Sequence, residues 1–191
     1  IADPGERALA SGADGLAAIN TILSVMGVDL ETLRPQPTVE GYSVPGGYSC
    51  KAVRPIALRM VMELARMMEG KYDDRTISGI GGVETGEDAA QFILLGANTV
   101  QVCTGVMIHG YGMVKEMCES LLGFMEKHSF NSIDEFHGAS IPYFSTHADL
   151  VVRQAKAKAE AKARRKGMIE KDAQWTGDDF VEQSDKLVSN D

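Results

Sequence analysis

The chain has no pair of cysteines at metal-ligand spacing. Its three cysteines, Cys50, Cys103 and Cys118, are scattered and odd in number, which disfavours a disulfide framework and supplies no zinc or iron–sulfur ligand set. The four histidines, His109, His128, His137 and His147, also lack ligand spacing and read as solvent or loop residues, so no metal site is expected. No apolar run approaches the roughly 20 residues that a membrane-spanning helix needs. No basic-plus-apolar leader opens the sequence either, so the expected compartment is the cytoplasm, with no membrane partner. Positive charge is short, at 19 Lys and Arg against 27 Asp and Glu, and the net charge of −8 argues against a general nucleic-acid surface. Aromatic residues are few, with one Trp against ten Met, which points to an aliphatic, helix-rich core. The first residue is Ile rather than Met, so the natural N-terminus is expected to lie elsewhere.

What is present is an alternation of short apolar runs and helical stripes. Gly5 to Ser11 reads as a helix entered at Asp3-Pro4 and stopped by Gly12. Asp14 to Asn20 reads as a buried parallel strand. Thr21 to Gly47 carries Pro35, Pro37 and Pro45, and reads as a long loop with one helical piece over Leu23–Gly27, the length at which loops usually serve as lids or ligand-binding segments. Ile56 to Glu69 is the clearest helix, with Ile56, Met60, Leu64 and Met67 on one stripe. A strand over Ile77–Ile80, a helix over Glu84–Leu95 stopped by Gly96, and a strand over Thr99–Cys103 form a βαβ unit. Gly112 to Lys127 is a further amphipathic helix, and Asn131 to Phe136 a short one capped by Ser132. From about 148 the composition turns charged. An Ala-, Lys- and Arg-rich helix precedes an acidic stretch whose Trp175, Phe180, Leu187 and Val188 could dock on a body or a partner. The expected division is 1–147 for the folded part and 148–191 for a helical, charged tail. The basic run Arg153–Lys166 fits either a solvated face or an acidic partner.

This alternation predicts a parallel α/β sheet. A (β/α)₈ barrel uses strand–helix units of this size but needs about 250 residues in all. The 191 residues therefore form an open sheet or part of a barrel. Candidate ligand groups stand just past the predicted strand ends, where parallel α/β folds bind ligands. Gly81-Gly82 and Cys103-Thr104 fit a phosphate site held by backbone amides, or plain turn residues. Asn20-Thr21 offers a carboxamide and a hydroxyl that match a planar amide or imide, or cap a strand–loop junction. Cys103, read locally, packs as a small hydrophobe.

The order GADGLAAINT, GGYSCKAVRPIALR, ISGIGG and LGANTVQVCTGVM over about residues 1–145 resembles the FMN-containing part of the dihydropyrimidine dehydrogenases. The likeness is to the bacterial NAD-dependent type and, more distantly, to the dihydroorotate dehydrogenases, while residues 150–191 resemble the tail of some bacterial members. The resemblance implies that the chain is about strands 6 to 8 of an FMN-binding (β/α)₈ barrel. The implied reaction is reversible reduction of the 5,6 double bond of uracil or thymine. It implies a pyrimidine contact at Asn20 and Thr21, and FMN contacts at Cys50, at Ile80, Gly81 and Gly82, and at Cys103 and Thr104. Cys50 is a departure, because the family usually has glycine there. The family's catalytic cysteine and flavin-side lysine belong to earlier strands, so no catalytic residue is expected in this chain and the chain alone is expected to be inactive. Iron–sulfur motifs are missing, so FAD and iron–sulfur clusters are expected on an NAD(P)H-oxidising partner subunit or on other segments, in an oligomeric assembly. Two rival readings are a phosphate-binding barrel enzyme of another class and a non-catalytic docking subunit.

Overall fold

The computed structural model describes the backbone of residues 1–173 and the side chains of residues 1–166. The docking reading of Trp175, Phe180, Leu187 and Val188 lies outside the described residues. Helix α1 (Ala2–Ala10) ends at Ser11, and Gly12 follows in the left-handed region at φ +102°. Strand β1 (Gly15–Ala18) occupies the middle of the predicted 14–20 run.

Residues 21–48 differ from the expected loop. They form an arm of two antiparallel ladders, β2 (Ile22–Ser24) with β5 (Gly46–Tyr48) and β3 (Gly27–Asp29) with β4 (Arg34–Gln36). The helical piece expected over Leu23–Gly27 is absent. Five residues cannot repay the cost of nucleating a helix, and cross-strand pairing satisfies the same backbone groups. Asp29 organises the β3–β4 turn, where its Oδ1 accepts from the amides of Glu31 (3.0 Å) and Thr32 (2.7 Å). Those bonds, Thr32 first, hold the Asp29 carboxyl below its ordinary range.

A 3-10 turn (Lys51–Val53) leads into α2 (Arg54–Met68), with Pro55 in its first turn as helix geometry allows. The chain continues through β6 (Thr76–Ile80), α3 (Gly86–Leu94), β7 (Thr99–Gln101), α4 (Thr104–His109) and α5 (Met113–His128). Helix α4 was not expected. The short helix predicted over Asn131–Phe136 is a 3-10 turn (Ile133–Glu135), and Ser132 makes no side-chain capping bond; Glu135 instead accepts from the Asn131 amide at 3.0 Å. Residues from Phe144 form a separate compact unit containing α6 (His147–Ala173), along which residues 150–166 are exposed, consistent with a solvated basic face.

The three-stranded sheet has the order β1-β6-β7, all parallel, with Ala17 opposite Ser78 and Ser78 opposite Thr99. One sheet face packs under helices. Ala18 and Ile77 meet a core of Ala57, Val61, Leu64 and Phe92. Gly79 lies so close beneath Phe92 that a Cβ there would sit 2.6 Å from the ring. The other face is polar, with the Thr99 hydroxyl and the Gln101 amide both donating to Ser78 Oγ at 2.8 Å. This layering aims the C-terminal ends of all three strands at one rim.

Candidate functional site

At that rim lies a cavity of about 330 Å³, lined by all eight residues singled out from the sequence: Asn20, Thr21, Cys50, Ile80, Gly81, Gly82, Cys103 and Thr104. Asn20 follows β1. Its Oδ1 accepts from the Thr21 amide at 2.7 Å, and among the described residues its Nδ2 has no protein partner. Gly81 and Gly82 follow β6 at φ +145° and +69°. A Cβ on Gly82 would lie 2.6 Å from the Cys50 carbonyl oxygen, so the loop before α2 rests on this turn backbone to backbone. Cys50 itself sits at φ +69° and ψ −164°, a conformation suited to glycine. The resemblance implies glycine at this position. Cys103 is exposed and immediately precedes α4, which corrects its reading as a packed core residue. The Thr104 hydroxyl opens α4 and lies 3.5 Å from Ser49 Oγ across the cavity.

Two helices start at this rim, and their N-terminal amides differ in availability. Helix α3 is closed by a capping box, in which Thr85 Oγ1 accepts from the Asp88 amide (3.1 Å) while Asp88 Oδ2 accepts from the amides of Thr85 (3.2 Å) and Glu84 (3.0 Å). The other Asp88 oxygen pairs with Arg54 Nη1, which also donates to the Gly82 carbonyl at 3.5 Å. The α3 start is therefore tied by its own side chains, with the Asp88 carboxylate on the Glu84 and Thr85 amides and the Thr85 hydroxyl on the Asp88 amide. Helix α4 has no side-chain cap, and its first residues, Thr104 and Gly105, line the cavity. A short extra helix after a late strand is a recurrent phosphate holder in (β/α)₈ barrels.

Local sequence reading missed Ser49, Lys51, Glu84 and His109. The Glu84 side chain is only 8% exposed, lines the cavity, and pairs with Lys51 Nζ at 2.8 Å and His109 Nε2 at 3.3 Å. The Lys51 bond, with His109 behind it, holds the Glu84 carboxyl below its ordinary range despite burial. No local pattern announces this group, because its members lie 25 and 33 residues from Glu84 in the chain. His109 and His128 are exposed, as expected of solvent residues, and each also has a partner. His109 closes α4 against Glu84, and His128 stacks on Phe130 with ring centroids 5.8 Å apart. A second cavity, of about 300 Å³, lies at the other end of the strands near Arg75, Asn98 and His137, and gathers none of the residues predicted as a site.

Residues 4–125 match the protein family described as dihydroorotate dehydrogenase. The chain is 60% identical over all its 191 residues to an Arabidopsis thaliana protein named dihydropyrimidine dehydrogenase (NADP(+)), chloroplastic, covering 45% of that protein. It is 48% identical over 141 residues to the NAD-dependent dihydropyrimidine dehydrogenase subunit PreA of Escherichia coli strain K12, with 72% of this chain and 34% of that protein covered. It is 34% identical over 141 residues to a dihydroorotate dehydrogenase B (NAD(+)) catalytic subunit of Pyrococcus abyssi, with 74% and 44% covered. The chain thus spans less than half the length of these relatives. The plant match spans the whole chain, the charged tail included.

Proposed function

The chain belongs to the dihydroorotate dehydrogenase family, and from that premise we propose that it is the FMN- and substrate-holding part of a dihydropyrimidine dehydrogenase. In this reading β1, β6 and β7 stand as about the sixth to eighth strands of a (β/α)₈ barrel, and 148–191 is an appended tail. The observation that carries it is convergence: residues after three successive parallel strands line one cavity at the strand C-terminal ends.

The donor set suits FMN. The Gly81-Gly82 turn borders the cavity with bare backbone, since a Cβ there would collide with Ala57 or the Cys50 backbone; the α4 start is uncapped, and the Ser49 and Thr104 hydroxyls lie together at the cavity wall. Gly82, Cys103 and Thr104 would hold the phosphate, with Cys50 and Ile80 against the rest of the cofactor. When bound, FMN supplies the hydride chemistry for the 5,6 double bond of uracil or thymine. Asn20 donates from its unpartnered Nδ2 to a ring carbonyl, and Thr21 offers a hydroxyl to the imide edge, so the two fix the ring's orientation. The proton is given by a cysteine outside this chain. Electrons come from NAD(P)H through FAD and iron–sulfur centres on a partner subunit or other segments, within an oligomer. The cytoplasm is the proposed compartment, with a plastid as the alternative that the plant relative's name raises. The isolated chain turns over no pyrimidine.

Full-length protein that purifies with flavin absorbance and reduces uracil or thymine supports the proposal. Colourless protein that takes up no FMN on reconstitution sinks it. A thermal shift with sugar phosphates and none with FMN favours the rival barrel enzyme, because only ligands of the folded state raise the melting temperature.

A further inference from the structure

A carboxylate beside a site for a phosphate is costly. Like charges repel most where water is partly excluded. Glu84 nevertheless stands two residues past Gly82, in the lining of the same cavity, with its side chain almost fully buried. Its partners explain why it can be there. Lys51 comes from the loop before α2, on one side of the cavity, and His109 from the last residue of α4, on the other. Cys50, next to Lys51, also points its thiol at the same carboxylate, with Sγ 3.8 Å from Oε1. Two walls that carry separate candidate contacts, Ser49-Cys50 and Cys103-Thr104, are therefore pinned to one anion seated after the glycine turn.

We propose that Glu84 is a positioning residue for the phosphate end of the cofactor site, drawing Lys51 and His109 together across the rim so that the two walls close on the phosphate. The proposal rests on the FMN reading above. Lys51 is the exposed half of this clasp, with its side chain 64% exposed and its ammonium on Glu84. Glu84 is the anchored half, held by the turn between β6 and α3. Its ionised state is favoured by Lys51, so the anchor carries its charge at neutral pH.

The test is flavin affinity in the full-length protein, by quenching of FMN and riboflavin fluorescence, for wild type, Glu84→Gln, Glu84→Asp and Lys51→Met. Glu84→Gln and Lys51→Met should each weaken FMN by about tenfold, the loss expected for a charge-assisted contact, mainly through faster dissociation. Riboflavin, which lacks the phosphate, should bind all four proteins alike, and Glu84→Asp should recover most of the FMN affinity. In the double variant the losses should fail to add, because both act through one contact. Unchanged or tighter FMN binding by Glu84→Gln, as expected of a bare negative charge facing a phosphate, would overturn the proposal. So would an equal loss for both flavins, which marks general damage to the pocket. Should Glu84→Gln fail to fold, unchanged FMN affinity in Lys51→Met, altered only at an exposed side chain, overturns it alone. Wild-type protein that binds neither flavin removes the FMN reading itself, whereas wild type that binds both while the variants match it removes only the clasp.

Discussion

The turn after β6 and the turn after β7 read alike in sequence, each with small residues and a threonine ahead of a helix, yet they do different work. After β6, the α3 start is tied by the capping box of Thr85 and Asp88, and Asp88 is locked in turn by Arg54 from the start of α2. After β7, α4 begins with no capping side chain and its first residues border the cavity. A helix start tied by its own side chains holds architecture, and one without such a cap leaves its first amides to other acceptors. The glycine turn thus acts through its own backbone and close approach, and in the proposed reading the phosphate falls to the second turn.

Removing Asp88 tests the structural side most severely. Asp88→Ala leaves Arg54 without its buried partner and opens the α3 cap, and should lower stability by about 3 kcal/mol in urea unfolding. A change near zero would place the lock elsewhere. On the ligand side, Thr104→Val should weaken FMN by about tenfold, equivalent to about 1.4 kcal/mol, with an unchanged melting temperature. A stability loss without an affinity loss would reverse the comparison. Thr85→Ala removes half of the capping box and should cost about 1 kcal/mol of stability while FMN affinity stays as it was. The smallest effect is expected in acid. Lys51 holds the folded-state Glu84 carboxyl below its ordinary value of 4.5, so its contribution is full above that value and is lost as pH falls through the lower folded value. The unfolding midpoints of wild type and Glu84→Gln should therefore converge at the acid end, and a gap that persists there counts against the pairing.

Much of the frame was legible along the chain because its signals are local. The stripe of Ile56, Met60, Leu64 and Met67 marked α2, although the buried face is rotated to Ala57, Val61, Leu64 and Met68 and leaves Ile56 exposed; β-branched Thr99-Val100 marks β7, and Gly96 ends its helix with φ +98°, as expected of a left-handed stop. Helix α4 escaped notice because six residues beginning Thr-Gly carry neither a stripe nor a cap. The arm over 21–48 was misread because its ladders join residues as far apart as Ile22 and Tyr48, a pairing that no local propensity records. Cys103 was read as core because the run before it is apolar, whereas the strand ends at Gln101 and the chain has already reached the rim.

The sequence by itself determined the alternation of strands and helices, the parallel sheet, and the short list of groups at strand ends, since each follows from spacing within a few residues. Only the tertiary structure decided that those groups share one cavity, which helix start carries a side-chain cap, and that Glu84 has Lys51 and His109 as partners. The physical reason is distance along the chain. Helical stripes and turn glycines act over a few neighbouring residues, while a cavity wall and a buried ion pair exist only after the β1-β6-β7 sheet has brought segments dozens of residues apart to the same edge.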